Sequence, residues 1–152
     1  MVVYVEIDRC ATDAIQVVTG CKIGKRTMKY VDYGKVAATF VDLHTGDAVR
    51  VAAREDAREK ATPRQSEGCT KYEAQLSAYK EMPDDELFNM EHARVKIPVE
   101  DMPGPPRERV ICDQCGEGIN DYREVRLAGK VLCRACAHGS YYEPLSINLV
   151  LR

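Results

Sequence analysis

Residues 1–21 read MVVYVEIDRCATDAIQVVTGC, and a change of period within them decides the fold class. Val2-Val3-Tyr4-Val5-Glu6-Ile7 is rich in β-branched residues and stops at Asp8, the pattern of a strand. From Arg9 the spacing turns helical. Cys10, Ala14, Val17 and Val18 recur three and four residues apart, Asp8 is the expected N-cap, and Thr19-Gly20 closes the segment.

Reading outward, a loop from Gly20 to Arg26 precedes expected strands at 27–31 and 35–43, separated by Asp32-Tyr33-Gly34. His44-Thr45-Gly46-Asp47 is a turn between Ala37–Leu43 and Ala48–Ala53, so a β-hairpin is expected there. Residues 54–60 and 70–91 are charged and helix-favouring, interrupted by Pro63 and Pro83. Tyr72, Leu76 and Tyr79 form one apolar stripe, with Leu87, Phe88 and Met90 beyond the second proline. Arg94–Val99 alternates again through Val95, Ile97 and Val99, as a strand would. Residues 1–100 therefore read as one α+β domain, a mixed or antiparallel sheet with packed helices.

Pro98, Pro103, Pro105 and Pro106, with Gly104 among them, then break the composition. This density of proline predicts a semi-rigid linker at 101–108. Beyond it stand two pairs, Cys112-Asp113-Gln114-Cys115 and Cys133-Arg134-Ala135-Cys136. Two CxxC turns present four thiolates at about 2.3 Å from one tetrahedral Zn²⁺. Arg123–Leu127 and Lys130–Leu132 alternate about Ala128-Gly129, which predicts a hairpin returning the second pair to the first. The expectation is a finger at 109–138, either a zinc ribbon or a treble clef, holding one structural zinc on Cys112, Cys115, Cys133 and Cys136. A module this small needs a metal to fold. Four thiolates fill the tetrahedron, so the ion has no open position for catalysis. His138 is a competing ligand close by. Residues 139–152 form a tail in which the apolar run Leu145–Leu151 has strand character.

The chain has 152 residues, 45% hydrophobic and 30% charged, with a formal net charge of −2. That balance offers no large basic footprint, so nucleic acid is not an expected partner. No apolar run approaches the length of a membrane helix, and MVVYVEID lacks the basic start of a secretory signal, so a cytoplasmic protein is expected. Seven cysteines, an odd number, argue against a disulfide framework. Lys22, Lys25, Arg26, Lys29 and Lys35, interleaved with Tyr30 and Tyr33, read as a solvated face or a phosphate-binding one. Gly20-x-x-x-Gly24-Lys25 lacks the spacing of a P-loop.

Three cysteines lie outside the pairs. Cys10 starts the first helix, where the helix dipole would favour its thiolate, or else it is a small buried hydrophobe. Cys21 follows the same helix, and Cys69 sits in a Ser-Glu-Gly-Cys-Thr loop without an evident role.

The run Cys10-Ala11-Thr12-Asp13-Ala14-Ile15-Gln16-Val17-Val18-Thr19-Gly20-Cys21, followed by Asp32-Tyr33-Gly34-Lys35 and Thr45-Gly46-Asp47-Ala48-Val49-Arg50-Val51, resembles the FmdE family of formylmethanofuran dehydrogenase proteins. The resemblance covers roughly residues 1–99, and some members also carry a C-terminal four-cysteine finger. It implies an α+β core, a homodimer and a link to formylmethanofuran dehydrogenase, which makes formylmethanofuran from CO₂ and methanofuran. Catalysis there belongs to molybdenum or tungsten subunits. The implied role is thus an accessory or metal-handling subunit in one-carbon metabolism, methanogenesis included, with molybdoenzyme subunits as partners. The family usually carries a His-Gly-His-x-Cys-Pro-Gly element ahead of the first strand. That element builds a metal or active site with the cysteine matching Cys10, and it is not in this sequence. Cys10, Asp13 and Cys21 would then be the remnant of a second metal site: either a partner chain supplies the rest, or this is a shortened member that binds without catalysing. The alternatives are a regulatory module whose finger contacts protein or nucleic acid, and an enzyme using Cys10 as ligand or nucleophile.

Overall fold

A computed structural model describes residues 1–61 and 70–145. The expectations for Pro63 and Cys69 lie outside these residues, as does all but Leu145 of the tail run Leu145–Leu151. The chain divides into two compact units, one from Met1 to Ile97 and one beginning at Pro98.

The first unit runs β1 (Val2–Val5), α1 (Cys10–Thr19), β2 (Met28–Tyr30), β3 (Ala37–Val41), β4 (Ala48–Ala53), α2 (Ala57–Ala61), α3 (Lys71–Glu81), α4 (Asp84–Leu87) and β5 (Phe88–Ala93). The five strands form one sheet in the order β2-β1-β3-β4-β5. β1 and β2 are parallel, as a strand–helix–strand crossover requires, and the other pairs are antiparallel. The unit is therefore α+β with a mixed sheet. β1 is flanked on both sides, and Val2, Val3 and Val5 are at most 1% exposed. This explains its nearly continuous apolar run.

The helix at 10–19 forms where its period placed it, but it presents a different face. Val17 and Val18 are 82% and 85% exposed, and Cys10 and Ala14 are exposed too. Ile15 instead packs onto Val3, Val5, Cys21, Met28 and Ala38. The apolar residues occupy one broad arc of this helix, and the helix meets the sheet through the edge of that arc, where Ala11 and Ile15 adjoin the half-buried Thr12, Gln16 and Thr19. Periodicity finds the arc but not which edge of it turns inward. The N-cap is Arg9, not Asp8, and no side chain caps the helix. Thr12 Oγ1 instead donates to the Ile7 carbonyl at 2.5 Å, which ties the first turn to the end of β1. Gly20 has φ 70° and donates its N–H to the Gln16 carbonyl, a left-handed stop suited to glycine.

The β3–β4 hairpin pairs Val41 with Ala48 and closes through Asp42 N–H to Asp47 O and Gly46 N–H to Asp42 O, both 2.9 Å. In α3 the stripe is displaced in part, since of its three residues Tyr79 packs on the buried cluster. Tyr72 is 73% and Leu76 43% exposed, while Ala74 and Ala78 are buried. Ala78 packs with Ala57 and Ala61 of α2 and with Met82, so small residues let the two helices approach closely. Thr70 and Glu73 make a reciprocal capping box at the start of α3. Thr70→Ala is expected to cost about 1 kcal/mol, read as a lower urea midpoint with unchanged slope.

Two expectations around Pro83 are corrected. The helical segment expected over 70–91 ends at Leu87, and Phe88–Ala93 is the edge strand β5. The strand expected at Arg94–Val99 does not form. Residues 94–98 lack regular structure, and a 3₁₀ turn spans Val99–Asp101. Pro98 has no N–H to give a ladder, whereas Phe88–Ala93 aligns along β4 with Glu91 opposite Arg50.

The second unit contains β6 (Arg109–Ile111), β7 (Gly118–Asn120), β8 (Val125–Leu127), β9 (Lys130–Leu132) and α5 (Arg134–His138). Its strands form two separate hairpins, β6–β7 and β8–β9. The second turns at Ala128-Gly129, where both residues have positive φ (49° and 79°). Among the described residues no helix is long and apolar enough to cross a membrane.

Candidate metal centre

The loop of the β6–β7 hairpin is the first CxxC turn. Gly116, at φ 76°, gives its N–H to the Cys112 carbonyl at 2.9 Å, and Cys112 gives its own to Glu117 O at 2.9 Å. The second pair follows β9 directly. Cys133 is the N-cap of α5, and its Sγ accepts the Cys136 N–H at 3.3 Å. The Cys133 N–H reaches across to Cys112 Sγ at 3.2 Å. Asp113 braces the two turns: its N–H donates to Val131 O at 2.8 Å, and its Oδ2 accepts the Val131 N–H at 2.7 Å. Beneath lies a small core of Cys112, Ile119 and Leu132, joined by Val110, Val131 and Ala137. Asp121, 6% exposed, secures the entry strand by accepting the Arg107 N–H at 3.1 Å.

These elements bring the four sulfurs of Cys112, Cys115, Cys133 and Cys136 within 4.8 Å of one another. Cys115 Sγ and Cys133 Sγ are 3.9 Å apart. Thiolates bonded at about 2.3 Å to one tetrahedral ion would be roughly 3.8 Å apart, so the set fits zinc. The electrostatics also fit. Backbone N–H groups of Cys115 and Cys133 lower the Cys112 thiol to about 6. Cys136, crowded first by Cys133 and then by burial, is pushed up to about 12. Four like charges cannot share this volume without a cation. A bound zinc would supply that charge and lock two hairpins and a helix together. His138, in the exposed last turn of α5, is not among the clustered ligands. A knuckle, a hairpin and a second pair in the first turn of a helix is the treble-clef arrangement rather than the ribbon.

The remaining candidates are not brought together. Cys10 is exposed at the start of α1, and Cys21 is buried beyond its end. The helix between them holds them about 15 Å apart along its axis. Among the described residues, the four-cysteine group is the only set of three or more ligand side chains placed to hold a metal. Among the described residues Cys10, Asp13 and Cys21 are thus not gathered into one ligand cluster by this chain.

One charged cluster in the first unit has no signature in the sequence. Glu6 is 5% exposed and receives Arg50 through both carboxylate oxygens, Nε to Oε1 at 2.7 Å and Nη2 to Oε2 at 2.8 Å. Arg50 Nη1 also donates to Glu91 Oε1 at 3.0 Å. The guanidinium holds the Glu6 carboxyl below the usual carboxylate range, against the opposing effect of burial. The three residues lie far apart in sequence, and only the strand register reveals them as partners.

Residues 1–89 match the family model described as "FmdE, Molybdenum formylmethanofuran dehydrogenase operon". The chain belongs to the FmdE family. Residues 106–142 match the prokaryotic dksA/traR C4-type zinc finger, and the four clustered cysteines of this FmdE-family chain lie within that match. A solved structure of a tungsten formylmethanofuran dehydrogenase FmdE-like protein from Syntrophus aciditrophicus superposes with a TM-score of 0.61. It is 22% identical and the match covers 93% of this chain and 73% of that one, a likeness of fold. A "Probable S-adenosyl-L-methionine-binding protein" of Archaeoglobus fulgidus is 30% identical over 96% of this chain. The chain spans 43% of that relative's length.

Proposed function

We propose that this FmdE-family chain is an accessory or metal-handling subunit linked to formylmethanofuran dehydrogenase or related molybdoenzyme one-carbon metabolism, with one structural zinc per chain. The observation that carries this reading is the pairing of an FmdE core with a finger whose four thiolates leave a tetrahedral ion no open position. Such an ion orders a surface rather than activating a substrate. The finger thus serves as a docking element with an ordered surface of its own, and the chemistry resides in a partner. The test is affinity purification of the tagged full chain from its native host. Molybdenum- or tungsten-enzyme subunits at near-equal stoichiometry support the reading, and their absence under conditions where that enzyme is expressed overturns it.

A second reading comes from the A. fulgidus relative, whose alignment takes in both units. On that reading the chain binds S-adenosyl-L-methionine, and calorimetric titration with that compound decides it.

A further inference from the structure

A cavity of about 290 Å³ lies between α1 and the β3–β4 part of the sheet. We propose that it is a binding site for a small, uncharged, largely hydrocarbon ligand. It belongs wholly to the first unit. Alanines on both walls hold it open: Ala11 and Ala14 on the helix face Ala38 and Ala53 on the strands. Larger side chains, Ile15, Phe40 and Val51, surround this gap. Val36 and Phe88, 48% and 37% exposed, stand at its rim, so the space opens to solvent there. The loose packing of α1 agrees with this, because the helix covers the sheet yet contains no buried residue.

The lining fixes the ligand's chemistry. The one hydroxyl in the wall, Thr12 Oγ1, already gives its proton to the Ile7 carbonyl. No charged side chain lines the space. A charged or strongly polar ligand would lose its hydration without replacement, whereas apolar surface gains by entering. An apolar cavity of about 150 Å³ holds one benzene, so this volume takes about ten to twelve non-hydrogen atoms. This inference rests on the core alone and is independent of the proposed partner and of the metal.

The test is fluorescence titration of the zinc-loaded full chain with 2-naphthol, a probe of that size, and with naphthalene-2-sulfonate, the same ring carrying a fixed charge. One saturable site for 2-naphthol is expected, with the sulfonate at least roughly tenfold weaker. Ala11→Leu and Ala53→Leu, which fill the gap from opposite walls, should each weaken 2-naphthol at least roughly tenfold while leaving thermal stability equal or higher. Ala53 is exposed, so its variant carries the test if the helix variant misfolds. Absence of saturable binding, equal affinity for the two probes, or wild-type affinity in a folded Ala53→Leu chain would each overturn the proposal. So would a change in oligomeric mass of Ala53→Leu by light scattering, since a second copy would then be the occupant.

Discussion

Cys112→Ser is expected to unfold the unit that begins at Pro98 and to leave the β1–β5 sheet in place. Cys112 is the most buried of the four cysteines, 1% exposed, and it does three things at once. It contributes to the small core with Ile119 and Leu132, its sulfur accepts the Cys133 N–H, and it is one of the four clustered thiols. Structural zinc in sites of this kind contributes on the order of 10 kcal/mol at neutral pH, far more than so small a core supplies. Stripping the metal from the wild-type chain with a strong chelator should reproduce the variant. Two-dimensional amide NMR reads both results: signals of 109–138 collapse toward random-coil positions while those of residues 2–53 stay dispersed. A dispersed finger in Cys112→Ser, or in chelated wild type, would mean that hydrophobic packing alone holds it.

The second large effect concerns Arg50. Arg50→Ala should cost about 3 kcal/mol, because it leaves the Glu6 carboxylate buried without its bidentate partner. Its pH dependence carries the diagnostic sign. In the wild type Arg50 depresses the Glu6 pKa, so the pair's contribution is fully present above the unfolded carboxylate pKa. It is lost as the pH falls through the lower native value. In Arg50→Ala burial is opposed only by the weaker pull of Lys35 and raises that pKa, so the variant should gain stability relative to wild type on acidification. Glu6→Gln in the Arg50→Ala background should recover part of the loss, since no charge is left buried. Denaturant melts of the three chains between neutral and acidic pH measure this. A loss in Arg50→Ala that does not vary with pH would show that the guanidinium acts only through packing.

The elements of this chain were largely legible, while their faces were not. β1, α1 and the β3–β4 hairpin follow from period and turn chemistry, because Gly20 and His44–Asp47 punctuate the chain locally. The inner side of α1 did not follow, since Cys10, Ala14, Val17 and Val18 form the more apolar stripe, while the side that meets the sheet mixes Ala11 and Ile15 with the half-buried Thr12, Gln16 and Thr19. Only the sheet selects that side. β5 was hidden for a related reason. Phe88-Asn89-Met90-Glu91 has no strong strand composition and pairs because β4 offers it a register, with Arg50 waiting for Glu91. The Val95, Ile97 and Val99 alternation looks more like a strand and has no ladder to join. In the finger the legibility was much greater. Cysteine spacing is a direct consequence of tetrahedral geometry, so four ligands could be named from residue types alone. The choice between ribbon and treble clef needed α5, a helix of five residues that is too short for periodicity to register.

The most direct measurement of the zinc-held finger is metal content per chain in freshly purified, folded protein, determined by elemental analysis beside Cys112→Ser. One zinc per wild-type chain and none in the variant is the predicted result. A wild-type finger that is folded, metal-free and unaffected by chelator would contradict it, since packing of Cys112, Ile119 and Leu132 would then hold the four thiols within 4.8 Å of one another without a metal.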